Sequence, residues 1–251
     1  MSNIRNYIPN PNLPQKNVCT VITDYRTPKK VINKLAELQI NILPTTSVDT
    51  LYNAVRGHAD LQIHHIYNNT FVCAAECYNY YKTILPDCEL IQGTSFLASN
   101  YPQDIAYNVA RIDKIAFHNL KYTDYKIAEY YEKLNIKLVN VKQGYAKCNV
   151  CIAGKNAIIT SDKSIAKAAD NYNIDVLFIS QGYIDLIDFP YGFIGGASGL
   201  IAPDKLAFTG NIKLHHDYDK IAEFCEVYNV ALMSLSDDKL VDVGSLLPIC
   251  I

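Results

Sequence analysis

The feature of this sequence that most constrains its fold is an internal repeat. Four segments align without gaps, and in each an apolar residue is followed eight positions later by Asn or Gln. The first half of each segment has apolar residues at helical spacing, and the second half is a short β-branched run. Each segment therefore predicts a helix, a left-handed residue at its end and a strand. The segments begin at Pro28, Asp124, Lys163 and Tyr218.

More strands surround each predicted helix. An apolar strand precedes it, and a middle strand separates each unit from the next, so the order is strand, helix, strand, strand. Five units follow one another with an uneven period of between 42 and 51 residues. The pre-helix strands begin at Cys19, Thr70, Lys114, Asn156 and Lys205, and the middle strands at Ala59, Asp104, Ala146, Gly196 and Leu240.

The two ends of the chain each lack a partner strand. The last unit has no pre-helix strand after its middle strand, whereas the N-terminal strand has no middle strand before it. We therefore predict an α/β fold of the closed five-unit α/β-propeller type, in which Val18–Thr23 pairs with Leu246–Ile249 and closes the ring. An open doubly wound sheet is the alternative, but it has one strand per helix. Thr123-Asp124 and Ser161-Asp162 are expected to be N-cap pairs.

Composition limits the classes of protein. The chain has 251 residues, 49% of them hydrophobic, and a net charge of -2, which is typical of a globular protein and gives no nucleic-acid footprint. It has no 18-residue apolar run, so no membrane partner is expected. Its eight cysteines are dispersed, which favours reduced thiols and a cytoplasmic location. Residues 1–16 are interpreted as an extended N-terminal arm and residues 17–251 as one propeller domain.

The five-unit pattern resembles the pentein, or guanidine-modifying enzyme, fold superfamily. The motifs "GHADLQ", "NLKYTD", "GYAKC" and "YGFIGGASGL" are similar to a bacterial branch of that fold. The resemblance implies a cysteine thiolate that attacks a guanidinium carbon, a histidine that moves protons and carboxylates that bind the cation. It implies a small guanidino-type cation as the partner and no cofactor or metal.

The resemblance places the usual cysteine near the C-terminus, where this chain has Gly244 and Ser245. Cys250 lies beyond a proline and is interpreted as a packing or exposed residue. A rotated arrangement restores the family's relative positions: His58 begins the first middle strand, Cys148 lies two units later, and Asp242 lies one unit earlier around the ring. In a strand, Asp60 shares a face with His58 and is expected to orient it. The alternative is a loop histidine beside a solvated carboxylate.

Further residues complete the predicted site. Lys147 lies beside Cys148 but points to the other face if the strand is regular. Arg26 is a candidate ligand for a substrate carboxylate. Asp24 is a second candidate, although a helix cap is the favoured interpretation. Tyr191 precedes a Gly-rich loop near the expected axis.

Cys148 and Cys151 form a Cys-x-x-Cys pair, which also occurs in zinc and redox sites. Zinc needs a second ligand pair, and the nearest candidate, Cys73 with Cys77, lies in another unit, where Cys77 begins a helix. Alternation along a strand would also turn the sulfurs of Cys148 and Cys151 to opposite faces. We therefore predict that Cys148 is a site thiol, activated by its neighbours, and that Cys151 is a core residue.

The predicted function is a hydrolase or transferase acting on a C–N bond of a guanidino or amidino compound. The alternative is a non-catalytic pentein-fold protein that binds a small ligand or a macromolecule.

Overall fold

The computed structural model describes residues 5–251. The α-helices are α1 (Lys29–Glu37), α2 (Ala59–Gln62), α3 (Tyr78–Ile84), α4 (Tyr125–Lys133), α5 (Ala146–Asn149), α6 (Lys163–Ala169) and α7 (Tyr218–Val227). The strands of the first half are β1 (Thr20–Thr23), β2 (Asn41–Pro44), β3 (Ile63–Tyr67), β4 (Thr70–Cys73), β5 (Glu89–Gln92), β6 (Ala110–Ile112), β7 (Ile115–His118) and β8 (Lys137–Asn140). Those of the second half are β9 (Cys151–Gly154), β10 (Ala157–Thr160), β11 (Asp175–Phe178), β12 (Ile184–Asp185), β13 (Ser198–Ala202), β14 (Lys205–Phe208), β15 (Ala231–Ser234), β16 (Leu240–Val241) and β17 (Leu247–Cys250).

Most strands belong to three-stranded sheets with a shared plan. In each, the pre-helix strand is central, the post-helix strand pairs with it in parallel, and a middle strand pairs with it antiparallel. The helix between the two parallel strands makes the crossover that parallel pairing requires. The sheet orders are β17-β1-β2, β3-β4-β5, β6-β7-β8, β9-β10-β11 and β13-β14-β15. A two-stranded sheet, β12-β16, completes the set in the described residues.

The first of these sheets joins the two ends of the chain. Strand β1 is central, with β2 on one side and the C-terminal β17 on the other. Val21 lies opposite Pro248, and Ile22 lies opposite Leu247, in antiparallel register. The predicted pairing of the N-terminal strand with the C-terminal strand is therefore confirmed.

The helices pack on the sheets through one repeated pair of side chains. In α1, α4, α6 and α7 the buried residues are four positions apart, which places both on one face of the helix. Burial of that face, more than the intrinsic helix propensity of such short segments, stabilises these helices. The pairs are Val31 and Leu35, Ile127 and Tyr131, Ile165 and Ala169, and Ile221 and Cys225.

The ends of the repeated helices follow the sequence pattern. Asp124 caps α4 by accepting from the Lys126 backbone N–H, and Asp162 caps α6 in the same manner. The repeated Asn or Gln has a positive φ of between 52° and 59° in all four units, so the predicted left-handed residues are confirmed. Asp24 does not cap α1, contrary to the favoured interpretation, because its carboxylate binds the Arg26 side chain.

Two of the expected middle strands begin with a helical turn, and a third, expected from Asp104, becomes a strand only at Ala110. The segments from Ala59 and Ala146 start with one helical turn, α2 or α5, and become strands only at Ile63 and Cys151. For α5 the reason is tertiary, since the Asn108 side-chain oxygen accepts from the backbone N–H groups of Lys147 and Cys148. These are donors that a first helical turn leaves free. Cys148 therefore does not lie on a strand.

The described part of the N-terminal arm packs against the sheet that joins the chain ends. Tyr7 bridges to Cys250, and the Ile8 backbone N–H donates to Ile249. Ile8 and Cys250 are both buried, so Cys250 is a packing residue. No helix in residues 5–251 is both long and apolar enough for a membrane span.

Candidate functional site

Cys148 lies in a buried polar cluster formed by residues from distant parts of the chain. Its thiol donates to the two carboxylate oxygens of Asp60, at 3.3 and 3.2 Å. The Asn108 side-chain amide donates to the sulfur at 3.2 Å. The site thus has both a proton acceptor for the thiol and a hydrogen-bond donor for a thiolate.

A second chain of contacts ends on the same carboxylate. The Lys147 ammonium donates to the Ser245 hydroxyl at 2.8 Å, and that hydroxyl donates to Asp60 at 2.7 Å. Lys147 and Ser245 are buried. Ser245 has φ of 77°, a conformation that L-residues rarely adopt, so its backbone is held there by surrounding contacts. Lys147 therefore compensates the buried charge of Asp60 through an intervening hydroxyl.

His58 and Asp242 form the other side of the cluster. His58 Nδ1 lies 3.9 Å from an Asp242 oxygen, and it has no hydrogen-bond partner although it is buried. The Asp242 carboxylate accepts from the backbone N–H groups of Phe193 and Gly244. A side chain at Gly196 would collide with Asp242, because an added Cβ would lie 1.9 Å from its oxygen. The absence of a side chain at Gly196 therefore leaves the space that the Asp242 carboxylate occupies.

Burial is the largest cause of the pKa shifts of the titratable groups in this site. It raises the pKa of the Asp60 carboxyl, and it lowers the pKa of His58, so the imidazole is neutral at neutral pH. Burial also raises the pKa of Asp242 to about 6. For Cys148, burial and the neighbouring Asp60 and Asp242 raise the pKa well above its ordinary value. This corrects the expectation that a histidine and Lys147 lower the pKa of this thiol.

A pocket of about 210 Å³ opens onto the cluster. His58, Cys148 and Asp242 are its polar lining residues at the base. Three aromatic side chains, Tyr145, Tyr191 and Phe193, line it next to them, and Val55, Leu186, Phe189 and Pro190 line the remainder. A carboxylate beside aromatic faces is an environment that binds organic cations.

The structure brings together most of the predicted site residues and separates two of them. Lys147, Asp60 and Asp242 are all buried at the cluster. Arg26 and Asp24 line a neighbouring cavity that shares Leu186 and Asp242 with the pocket. Their side chains are paired at 2.6 Å. Tyr191 lines the pocket wall and donates its hydroxyl to Gln181.

Two residues of the cluster were not singled out as site residues from the sequence. Asn108 belongs to an Asn-Val pair that directly precedes a middle strand, and the same pair recurs before Cys151. Ser245 was noticed only as a departure from the family's cysteine. Cys151 itself is fully buried in an apolar core cluster, as predicted for a packing residue.

The cluster also contains ligand types that suit a transition metal. One ligand atom each of His58, Asp60 and Cys148 lies within 4.8 Å of the others. Nitrogen, oxygen and sulfur ligands together are compatible with zinc. These three residues would hold such an ion if one bound.

Hydrogen bonds link consecutive units around this cluster. Each bond joins a residue in the expected middle-strand segment of one unit to a residue in the corresponding segment of a neighbouring unit. The bonded pairs are Asp60 with Gly244, Asn108 with Asp60, Lys147 with Asn108, Gly196 with Cys148, and Ser245 with Gly196.

The raised pKa of Asp242 predicts a pH-dependent effect on stability. The folded chain retains this proton up to about pH 6, whereas the unfolded chain releases it near the ordinary value. The wild-type free energy of unfolding therefore falls as the pH rises between the two values. We expect the stability of Asp242→Asn relative to wild type to increase by about 2–3 kcal/mol between about pH 4 and pH 7.

Urea denaturation at both pH values measures this change. Asp237→Asn, at an exposed carboxylate, is the matched control and should show no such increase. A relative stability of Asp242→Asn that is independent of pH would show that Asp242 titrates normally.

The chain was compared with known proteins. A family model described as a family of unknown function (DUF6873) matches residues 22–247. No curated protein matches the chain in sequence.

Three solved structures with a similar fold are distant in sequence from this chain. An inosamine-phosphate amidinotransferase from Streptomyces griseus has a TM-score of 0.55 at 9% identity, covering 94% of this chain and 92% of that chain. A mutant dimethylarginine dimethylaminohydrolase from Pseudomonas aeruginosa, complexed with citrulline, has a TM-score of 0.54 at 8% identity, covering 87% and 93%. A C. jejuni agmatine deiminase has a TM-score of 0.50 at 9% identity, covering 92% and 91%. The chain has the pentein fold, as the sequence resemblance implied.

Proposed function

Because this chain belongs to the DUF6873 family, a family of unknown function, and has the pentein fold, we propose that it is an enzyme acting on a guanidino or amidino C–N bond. The observation that carries the proposal is the cluster of Cys148, His58 and Asp60, of which Cys148 and His58 line the base of a pocket. A thiol, a proton carrier and a carboxylate within reach of one another are the groups that covalent catalysis requires.

We also propose that the five three-stranded sheets surround one axis as a closed propeller. Two features support this arrangement: the pairing of β1 with β17, and the hydrogen bonds that link each unit to the next. The axis would then pass through the cluster, and every unit would contribute to it.

Substrate binding relies on the base of the pocket. The ionised Asp242 carboxylate pairs with the guanidinium, and the faces of Tyr145 and Phe193 stack against the same cation. Because the pKa of Asp242 is about 6, it is ionised at neutral pH and ready to accept a cation.

The bound cation also activates the nucleophile. In the empty site the pKa of Cys148 is high because the sulfur is buried beside two carboxylates. A guanidinium next to the sulfur offsets that negative charge and favours the thiolate, whose proton passes to Asp60. Asn108 remains as a hydrogen-bond donor to the thiolate. The nucleophile is thus activated only when substrate is present.

The reaction then replaces a C–N bond of the guanidinium by a C–S bond to the enzyme. The sulfur of Cys148 bonds to the guanidinium carbon, and the C–N bond to the leaving amine breaks as the proton that Asp60 took from the thiol passes through His58 to that nitrogen. Water, or an acceptor amine, next attacks the carbon and releases the sulfur, with the neutral His58 taking up the proton. The unpartnered Nδ1 of His58 is available for these transfers.

A product screen tests the proposed function. Arginine, agmatine and methylarginines, together with simple guanidines, are incubated with the full chain, and released ammonia, amines and ureido products are measured. We expect turnover of at least one guanidino compound, unchanged by a chelator because no step uses a metal. Loss of turnover on chelation would favour a metal held by the His58 cluster, and no turnover of any compound would exclude the enzyme.

The alternative proposal is a non-catalytic protein that binds a small cation at the same pocket. The observation that favours it is the high pKa of Cys148, together with Gly244 and Ser245 in the stretch where the family's cysteine is expected. Binding of a guanidine by calorimetry, without product, would favour this alternative.

We further propose a reducing, cytoplasmic location. All eight cysteines are free thiols, including two that are partly exposed, Cys19 and Cys88. Free thiols are the usual state in that compartment.

A further inference from the structure

We infer that the cation bound in this pocket carries an apolar tail without a carboxylate. This inference rests on the proposed function, since it concerns the part of the substrate that extends away from the guanidinium. Two observations support it: no Lys or Arg of residues 5–251 lines the pocket, and the walls between its base and its mouth are mostly apolar.

The walls offer no positive charge to a carboxylate. No Lys or Arg lines the pocket in the described chain. His58 is its one basic lining residue, and it lies at the buried base beside Cys148 and Asp242, away from the walls. Asp242, an acidic residue, is among the lining residues instead. A carboxylate entering here would lose its hydration without gaining a cation, which is costly.

The two cations beside the site are already engaged. The Arg26 guanidinium is paired with Asp24 and donates to the carbonyl oxygens of Asn53 and Ala54. The Lys147 ammonium donates to the buried Ser245 hydroxyl. Neither side chain lines the pocket. In the structure Arg26 is thus held in an ion pair outside the lining of this pocket.

The mouth continues the apolar surface outwards. Phe189 lines the pocket and is 46% exposed, and its ring contacts Tyr52 edge-on, with 6.3 Å between centroids. Contact with these two rings would bury the apolar surface of a ligand, which is favourable. When the guanidinium is bound at Asp242, an alkyl or aryl tail of the same ligand therefore fits against these apolar side chains.

A matched pair of probes tests the absence of a carboxylate. n-Butylguanidine and 4-guanidinobutyrate differ at the tail end by a methyl or a carboxylate group. Their binding to the full chain carrying Cys148→Ala, which prevents turnover, is measured by calorimetry. We expect n-butylguanidine to bind at least tenfold more tightly. Equal or tighter binding of 4-guanidinobutyrate would overturn the inference and leave the proposed function standing, whereas no binding of either would remove both.

A series of alkylguanidines tests the apolar tail. From methyl to butyl, we expect affinity to rise about fourfold for each methylene, which corresponds to about 0.8 kcal/mol per buried CH₂. Phe189→Ala should reduce this gain for butylguanidine and leave methylguanidine unchanged. Phe178→Ala, at a phenylalanine 45% exposed and outside the pocket lining, is the control. Equal affinities along the series, or equal effects of the two variants on affinity, would show that the tail does not contact this wall.

Discussion

Replacing Cys148 by alanine is expected to reduce turnover of any guanidino substrate found in the screen by about 10³-fold or more. The variant removes the atom that forms the covalent bond, and no other thiol lines the pocket in the described residues. Asp242, Phe193 and the other walls remain, so substrate binding should persist. The expected result is therefore a loss of the catalytic step with little change in affinity.

Cys151→Ala is the matched control for this experiment. Cys151 lies three residues away and is also fully buried, but it packs in an apolar cluster. Its replacement should lower the free energy of unfolding through a small cavity and leave turnover largely intact. Mass spectrometry of quenched reactions should find the covalent intermediate on the Cys148 peptide. Full activity of Cys148→Ala would exclude covalent catalysis at this thiol.

Deletion of residues 1–24 is expected to prevent cooperative folding. It removes β1, the central strand between β2 and β17, and thereby leaves both neighbours without a partner. It also removes Val18, Val21 and Ile22, three buried side chains worth about 1.5–3 kcal/mol each. That loss, before any backbone hydrogen bond is counted, is comparable to the roughly 5–15 kcal/mol that stabilises a typical domain.

Deletion of residues 1–14 is the control for this truncation. It retains β1 but removes Tyr7 and Ile8, which pack beside β17, so it should lower the melting temperature without abolishing the transition. Circular dichroism during heating measures both truncations. Equal melting temperatures for the two would show that β1 is not an integral strand of this sheet.

The repeated local elements were predictable from the sequence. A helix that buries Ile127 and Tyr131 on one face, and a left-handed Asn135 after it, are consequences of residues within one short segment. The same holds for the caps at Asp124 and Asp162. The pairing of β1 with β17 was also predictable, because counting the units showed that each end lacked a strand.

The sequence predicted most residues of the candidate site, but it predicted their spatial arrangement only in part. His58, Asp60, Cys148 and Asp242 were identified from the repeat and the family resemblance, and the structure brings them to one cluster. Lys147 was expected on the opposite face of a strand, but a helical turn directs it to Ser245.

The periodicity of the sequence determined the repeated helices α1, α4, α6 and α7, most of the strands and their order, because those depend on which neighbouring side chains share a face. Only the tertiary structure decided the turn at Cys148, since Asn108, forty residues away, binds its free N–H groups. It also decided the protonation of Cys148 and Asp242, because the depth of burial and the charges brought close by folding set each pKa. Arg26 and Asp24, though close in sequence, were likewise directed to each other by the fold, because the surrounding carbonyl groups hold the guanidinium there.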